Sequence, residues 1–215
     1  TPTVINAIFK DRVFWDGRAN RFFNGQNPFG ADDPDAMVWD NQGGNLQEVQ
    51  ICTDNSALAS QAVGPPLSDF EMSWLGRSFP EIGRKMLALK PLGTQIVSPN
   101  DSLIGDLANP NGRGLKPEHT YRDLIRRAFK NRWWNGGLVD GEFTQMEANF
   151  AMFWGMAIYE YESDLVSGET RFDAFADDWH GDRSTTDDDG IIDDPANDLT
   201  DQEKEGLELF LKQGR

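Results

Sequence analysis

The indole of Trp15 and the carboxylate of Glu71 are the two side chains of this 215-residue sequence whose setting points most directly to chemistry. Trp15 stands in Phe14-Trp15-Asp16-Gly17-Arg18-Ala19, between an apolar run and a charged turn. An oxidised indole spreads its unpaired electron over two rings, so it offers a stepping stone where direct electron transfer is slow. Chemistry alone leaves a second reading open, a packed corner holding a buried Asp16–Arg18 ion pair. Glu71 stands in Phe70-Glu71-Met72, ten residues after Gln61 and with Pro65 between them. A carboxylate can take a proton and return it. The competing role for Glu71 is to cap the helix that begins near it.

The remaining candidates are weaker. His119 is followed by Thr120 and a helical pattern, so it reads as a capping or surface residue rather than a metal ligand. His180, in the polar run Asp177-Asp178-Trp179-His180-Gly181-Asp182, reads as a surface residue in a loop. Met72, Met86, Met146, Met152 and Met156 offer soft sulfur to a metal, but their helical neighbours make core packing the default. Cys52 has no second thiol to work with and is given no role. The acidic run from Asp187 to Asp198 offers oxygen ligands to calcium. With Gly190 at the sixth place of an EF-hand loop, Asp187, Asp189 and Asp193 fall on ligand positions, but Thr185 and Ala196 occupy the first and the twelfth. A solvated linker describes the run better.

The elements that position these groups are mainly helical. Phe79, Ile82, Met86 and Leu89 recur at helical spacing with Pro80 in the first turn, which predicts a helix over residues 79–89. Tyr121, Leu124, Ile125 and Ala128 share one face of a second helix over 120–129, with Arg122, Arg126 and Arg127 elsewhere. The longest helix is predicted over 143–166, after the Asn135-Gly136-Gly137 break. Residues 24–56 are rich in Asn, Gly, Asp and Pro, which favours a long irregular loop. No strongly alternating strand pattern is present.

Composition sets limits on the class of protein. The hydrophobic content of 38%, with 7 Trp and 14 Phe, is ample for a core. The longest apolar run, Phe150 to Tyr159, is far short of the ~20 residues that span a bilayer. A net charge of −16 argues against nucleic acid, which needs clustered Lys and Arg, and allows a basic partner protein. A single cysteine forms no intrachain disulfide.

Several segments together resemble the bacterial di-haem cytochrome c peroxidase and MauG family. Thr1-Pro2-Thr3-Val4-Ile5-Asn6 followed by Phe14-Trp15-Asp16-Gly17-Arg18-Ala19 resembles the stretch after the family's first haem. Gln61-Ala62-Val63-Gly64-Pro65-Pro66 with Phe70-Glu71-Met72, then Phe150-Ala151-Met152-Phe153-Trp154-Gly155, follow in the family's order. The segment from Leu199 to Phe210 is similar to the run-up to its second haem motif. Neither Cys-x-x-Cys-His motif is in the sequence, so the chain is read as a piece of a longer protein whose flanking parts carry the haems.

The resemblance implies a mainly α, cytochrome c-like fold with long loops and an insertion. It implies a peroxidatic domain over 1–168 lacking its haem motif, an acidic linker over 169–198, and over 199–215 the first helix of a second cytochrome c-like domain. The implied activity is haem-dependent oxidoreduction with hydrogen peroxide. Trp15 would carry electrons between two c-type haems and Glu71 would act as the distal acid, while Gln61 orients peroxide or water and Pro65 shapes the pocket. The donor would be a small cytochrome c or cupredoxin, or a residue of a protein substrate. A periplasmic or extracellular location and a calcium ion between the haem domains are further implications. A haem-free structural or calcium-binding module on the same scaffold is the alternative.

Overall fold

The computed structural model describes residues 3–168, 170–181 and 199–213, the side chains of 177–181 and 213 excepted. It falls into two compact units, one ending at Leu165 and one beginning at Val166.

The first unit is built around helices α1 (Ala57–Ala62), α2 (Phe79–Met86), α3 (Tyr121–Ala128), α4 (Gln145–Ala148) and α5 (Phe150–Ser163). The helix predicted over 79–89 forms over Phe79–Met86 as α2, with Leu89 beyond its end, and its start is set by the Ser78–Glu81 capping box and a proline in the first turn. The α3 helix begins after Thr120, whose hydroxyl accepts from the Asp123 amide. The core gathers Phe23, Val38, Phe79, Leu87, Ile125, Phe150 and Phe153, and Phe129 meets Phe153 edge-on at 4.7 Å between ring centroids. Close approach of α1 and α5 depends on Gly155, where a Cβ would stand 2.7 Å from Phe23 Cζ and 3.0 Å from the Ala59 carbonyl oxygen.

Two expectations about this unit are corrected. The single helix expected over 143–166 is a short strand, β4 (Phe143–Thr144), followed by α4 and α5, with the break at Asn149. The buried Asn149 carboxamide accepts from the Trp39 amide at 2.8 Å and donates to the Trp39 and Trp133 carbonyls at 2.7 and 2.8 Å. Its side chain thus serves another segment at the point where the helical ladder is interrupted.

The irregular loop expected over 24–56 contains an antiparallel hairpin, β1 (Val38–Gln42) paired with β2 (Asn45–Val49). Gly43 and Gly44 turn it with φ of 62° and 95°, the positive values a two-residue hairpin turn requires. A second hairpin pairs β3 (Leu138–Val139) with β4.

In the second unit, α6 (Arg171–Gly181) and α7 (Asp201–Gln213) are tied by an Arg171–Glu203 ion pair at 3.0 Å. The polar run around His180 is therefore helical up to Gly181 rather than a loop, and α6 occupies the first part of the expected linker. The acidic run weighed for calcium lies outside the described residues. Among the described residues, no helix is long and apolar enough to cross a membrane.

Candidate functional site

Trp15 stands at the tip of a closed loop. The backbones of Val13 and Ala19 bridge its base, and the Gly17 amide donates to the Phe14 carbonyl at 3.1 Å to turn it. Arg12 Nη1 donates to the Gly17 carbonyl at 3.1 Å, and Arg18 Nη1 meets Asp16 Oδ2 at 2.9 Å. Phe14 adopts φ 68°. For a bulky residue that left-handed conformation costs on the order of 1–3 kcal/mol, which the bridge and ion pairs around it must offset.

The consequence falls on the indole, which is 95% exposed. The packed-corner reading does not hold, because Trp15 is outside the core and the Asp16 and Arg18 side chains keep 33% and 39% of their surface. Desolvation acts against ionisation of Asp16, but hydrogen bonds and charge from Arg18 prevail and hold the carboxyl below its ordinary range.

Phe14 carries the contact inward. Arg18 stacks 4.0 Å above its ring, and the ring edge lies so close to Gly64 that a Cβ there would meet Phe14 Cζ at 3.2 Å. Gly64 itself donates to the Gln61 carbonyl at 3.1 Å and begins the turn of 3-10 helix over Pro65–Leu67. The C-terminus of α1 is fixed from the other side, where Trp154 Nε1 donates to the Ala62 carbonyl at 2.9 Å. The Trp15 loop, Gln61 and Pro65 are thus brought to one neighbourhood.

From there the chain wraps around one carbonyl. The Ser68 oxygen accepts from the amides of Glu71, Met72 and Ser73 at 3.2, 3.1 and 2.9 Å. Glu71 is exposed on this wrap. The capping role weighed for Glu71 belongs instead to Glu81, which accepts from the Ser78 amide at 2.8 Å. Around Glu71 the same wrap exposes Phe70, Met72, Trp74 and Leu75, an apolar shelf with Arg77 stacked 4.2 Å over the Trp74 ring.

The other candidates are elsewhere or unsuited. His119 is buried rather than on the surface, with Nδ1 unpartnered, and the cap of α3 is Thr120. Met146 and Met152 are buried in the core and Met86 and Met156 pack against it, as expected, whereas Met72 is exposed. Cys52 is free and exposed. The side chain of His180 lies outside the described residues. Among the described residues, no three His, Cys, Asp or Glu side chains are grouped to hold a metal ion.

Sequence reasoning missed a polar cluster under the hairpin. Asp40 is fully buried and accepts from Arg132 Nε at 2.7 Å, with Arg132 Nη2 on its other oxygen. Gln145, also fully buried, donates to the Trp39 and Arg132 carbonyls at 2.8 and 2.7 Å and accepts from the Gly136 amide at 2.6 Å. Its partners are distant in sequence, so no local spacing marks it. It holds the hairpin to the helices and leaves the Trp15 loop untouched.

A family model described as di-haem cytochrome c peroxidase matches residues 1–181. Neither the curated proteins nor the solved structures yield a match.

Proposed function

The chain belongs to the di-haem cytochrome c peroxidase family, and from that premise we propose that it forms the peroxidatic part of a haem-dependent oxidoreductase that consumes hydrogen peroxide. Family membership implies haem cofactors. A c-type haem is attached through two thiols and ligated by a following histidine. Cys52 is the only cysteine here, so these residues offer a haem a surface and not its anchors. The apolar shelf of Phe70, Met72, Trp74 and Leu75 fits that task, because exposed apolar surface gains by being covered with a flat porphyrin. When bound, the haem supplies the iron at which peroxide is reduced.

The protein's own groups then divide the work. Glu71 takes the proton from one peroxide oxygen and returns it to the other, so that the bond between them breaks with water leaving. Gln61 holds peroxide or water by its carboxamide, and Pro65 gives the pocket a rigid edge. Trp15 would be the oxidisable side chain through which electrons from a second haem reach this part of the protein. Each peroxide takes up two electrons and two protons and yields two waters. The electrons come from a small cytochrome c or cupredoxin, or from a residue of a protein substrate, in the periplasm or outside the cell.

The single observation that carries this reading is the exposed indole on a strained, braced loop. Core packing does not explain it, and a relay that faces a cofactor does. Trp15→Phe is the test, in the full-length haem-loaded protein. Phenylalanine keeps an aromatic ring but is far harder to oxidise. Stopped-flow spectra after peroxide addition are expected to show slower exchange between the haems with the fold intact. Unchanged exchange would remove Trp15 from the electron path.

A further inference from the structure

In a chain of net charge −16, residues 113–132 carry seven Lys and Arg against two Asp and Glu. Three of those cations are engaged: Arg113 on the Thr94 carbonyl, Lys116 on the Asp106 carbonyl and Arg132 on Asp40. The others, Arg122, Arg126, Arg127 and Lys130, lie along α3 and just beyond its end. The buried Ile125, and Leu124, which packs on an apolar cluster, mark the inward side of α3; helical spacing sets Arg126 and Arg127 away from it, with both exposed and Arg122 half-buried at its flank. Arg126 is also within 5.7 Å of the Trp134 ring centre.

Helix stability accounts for only part of this arrangement. Cations in the last turn complement the helix dipole, which explains Arg126 and Arg127. Arg122 is in the first turn, where the same dipole disfavours it. Asp123 is the one carboxylate among them. One of its oxygens is taken by the Thr120 cap and the other is 3.9 Å from Arg126. Among the described residues, Arg122, Arg127 and Lys130 form no ion pair within 4.0 Å.

We infer that this basic strip is a docking surface for a protein partner that presents clustered carboxylates. The molecule as a whole repels an acidic protein, so a local concentration of positive charge determines where such a partner can land and in which orientation. The overall negative charge disfavours nucleic acid, whose continuous phosphate backbone would meet repulsion on both sides of so short a strip. The inference does not depend on the proposed roles of Trp15 or Glu71.

The test uses the full-length haem-loaded protein and a fluorescein-labelled poly-glutamate peptide, read by anisotropy at low ionic strength. Arg122→Gln/Arg127→Gln/Lys130→Gln is expected to weaken binding by about two- to fivefold for each pair lost, about tenfold or more together. Lys10→Gln, at an exposed cation remote in sequence, should leave binding unchanged, and added salt should weaken it. The double variant Arg127→Gln/Lys130→Gln, at two exposed positions, gives the same reading should the triple variant fail to fold. Three outcomes would each overturn the proposal. These are no peptide binding by the parent protein, binding that the variants leave intact, and equal strip-dependent binding of a single-stranded oligonucleotide of the same charge.

Discussion

Glu71 and Asp40 show how differently two carboxylates can be placed in one chain. Asp40 is buried, and the hydrogen bond from Arg132 is the main reason its carboxyl is held below the ordinary range. It is a structural acid that stays ionised. Glu71 is solvent-facing on the Ser68 wrap, free of any capping duty and flanked by apolar side chains. Those features suit an acid whose surroundings are completed by a bound haem. Glu71→Gln keeps the size and polarity of the side chain and removes the base. General acid–base groups contribute about 10²- to 10⁴-fold, so peroxide turnover should fall by that range. Haem content, thermal stability and inter-haem exchange should change little. Turnover within a few-fold of the parent would show that the proton takes another path.

At the scale of elements, legibility in the sequence followed how local the controlling interaction is. Pro80 and the apolar spacing of Phe79, Ile82 and Met86 act within a few residues, as do the caps the structure shows at Ser78 and Thr120; α2 and α3 form within the predicted spans, α2 ending at Met86 before Leu89 is reached. The break at Asn149 is set by bonds to Trp39 and Trp133 at separations of 110 and 16 residues, so the apolar run around it gives no warning. The hairpin is hidden because its residue types do not alternate: β1 turns Val38 and Asp40 inward, so an acid occupies a buried position, and β2 is mostly polar and exposed. Gly43-Gly44 was its available signal. The Trp15 loop and Glu71 were marked by motif, but the exposure of the indole could not be read from neighbours that are themselves apolar or charged.

The Asn149 clamp leads to a prediction at this same scale. Asn149→Leu keeps the volume but strands the Trp39 amide and the Trp133 carbonyl, while the Trp39 carbonyl keeps its bond from Gln145. Each unsatisfied backbone group that stays buried costs about 1–3 kcal/mol, and the Trp39 amide alone sets that range as the least loss expected. Denaturant unfolding should show a loss of at least that size with little change in slope. Amide exchange should rise first across residues 38–49. A loss under ~0.5 kcal/mol would mean that the hairpin is held by Asp40–Arg132 and Gln145 alone.

For the whole molecule, charge sets an expectation about pH. At neutral pH the chain repels itself through its net −16, and this repulsion weakens as pH falls toward the sequence pI of about 4.4. The carboxylates that hold the fold respond later. Glu81 is lowered chiefly by the Ser78 amide, Asp123 by the Thr120 hydroxyl and Asp40 by Arg132. A carboxyl with a depressed folded-state pKa contributes stability that is present above its unfolded value and lost as pH falls through the folded one. Glu162 has the opposite sign, because burial raises it, so its contribution is lost as pH rises through the folded value. The opposing terms place the optimum on the mildly acidic side. The melting temperature should rise from about pH 8 to about pH 5 and fall below about pH 4. Screening by about 0.5 M salt should recover most of the deficit at the alkaline end and little of the loss at the acid end. A melting temperature that is flat or declining between pH 8 and 5 would show that the paired carboxylates outweigh self-repulsion throughout.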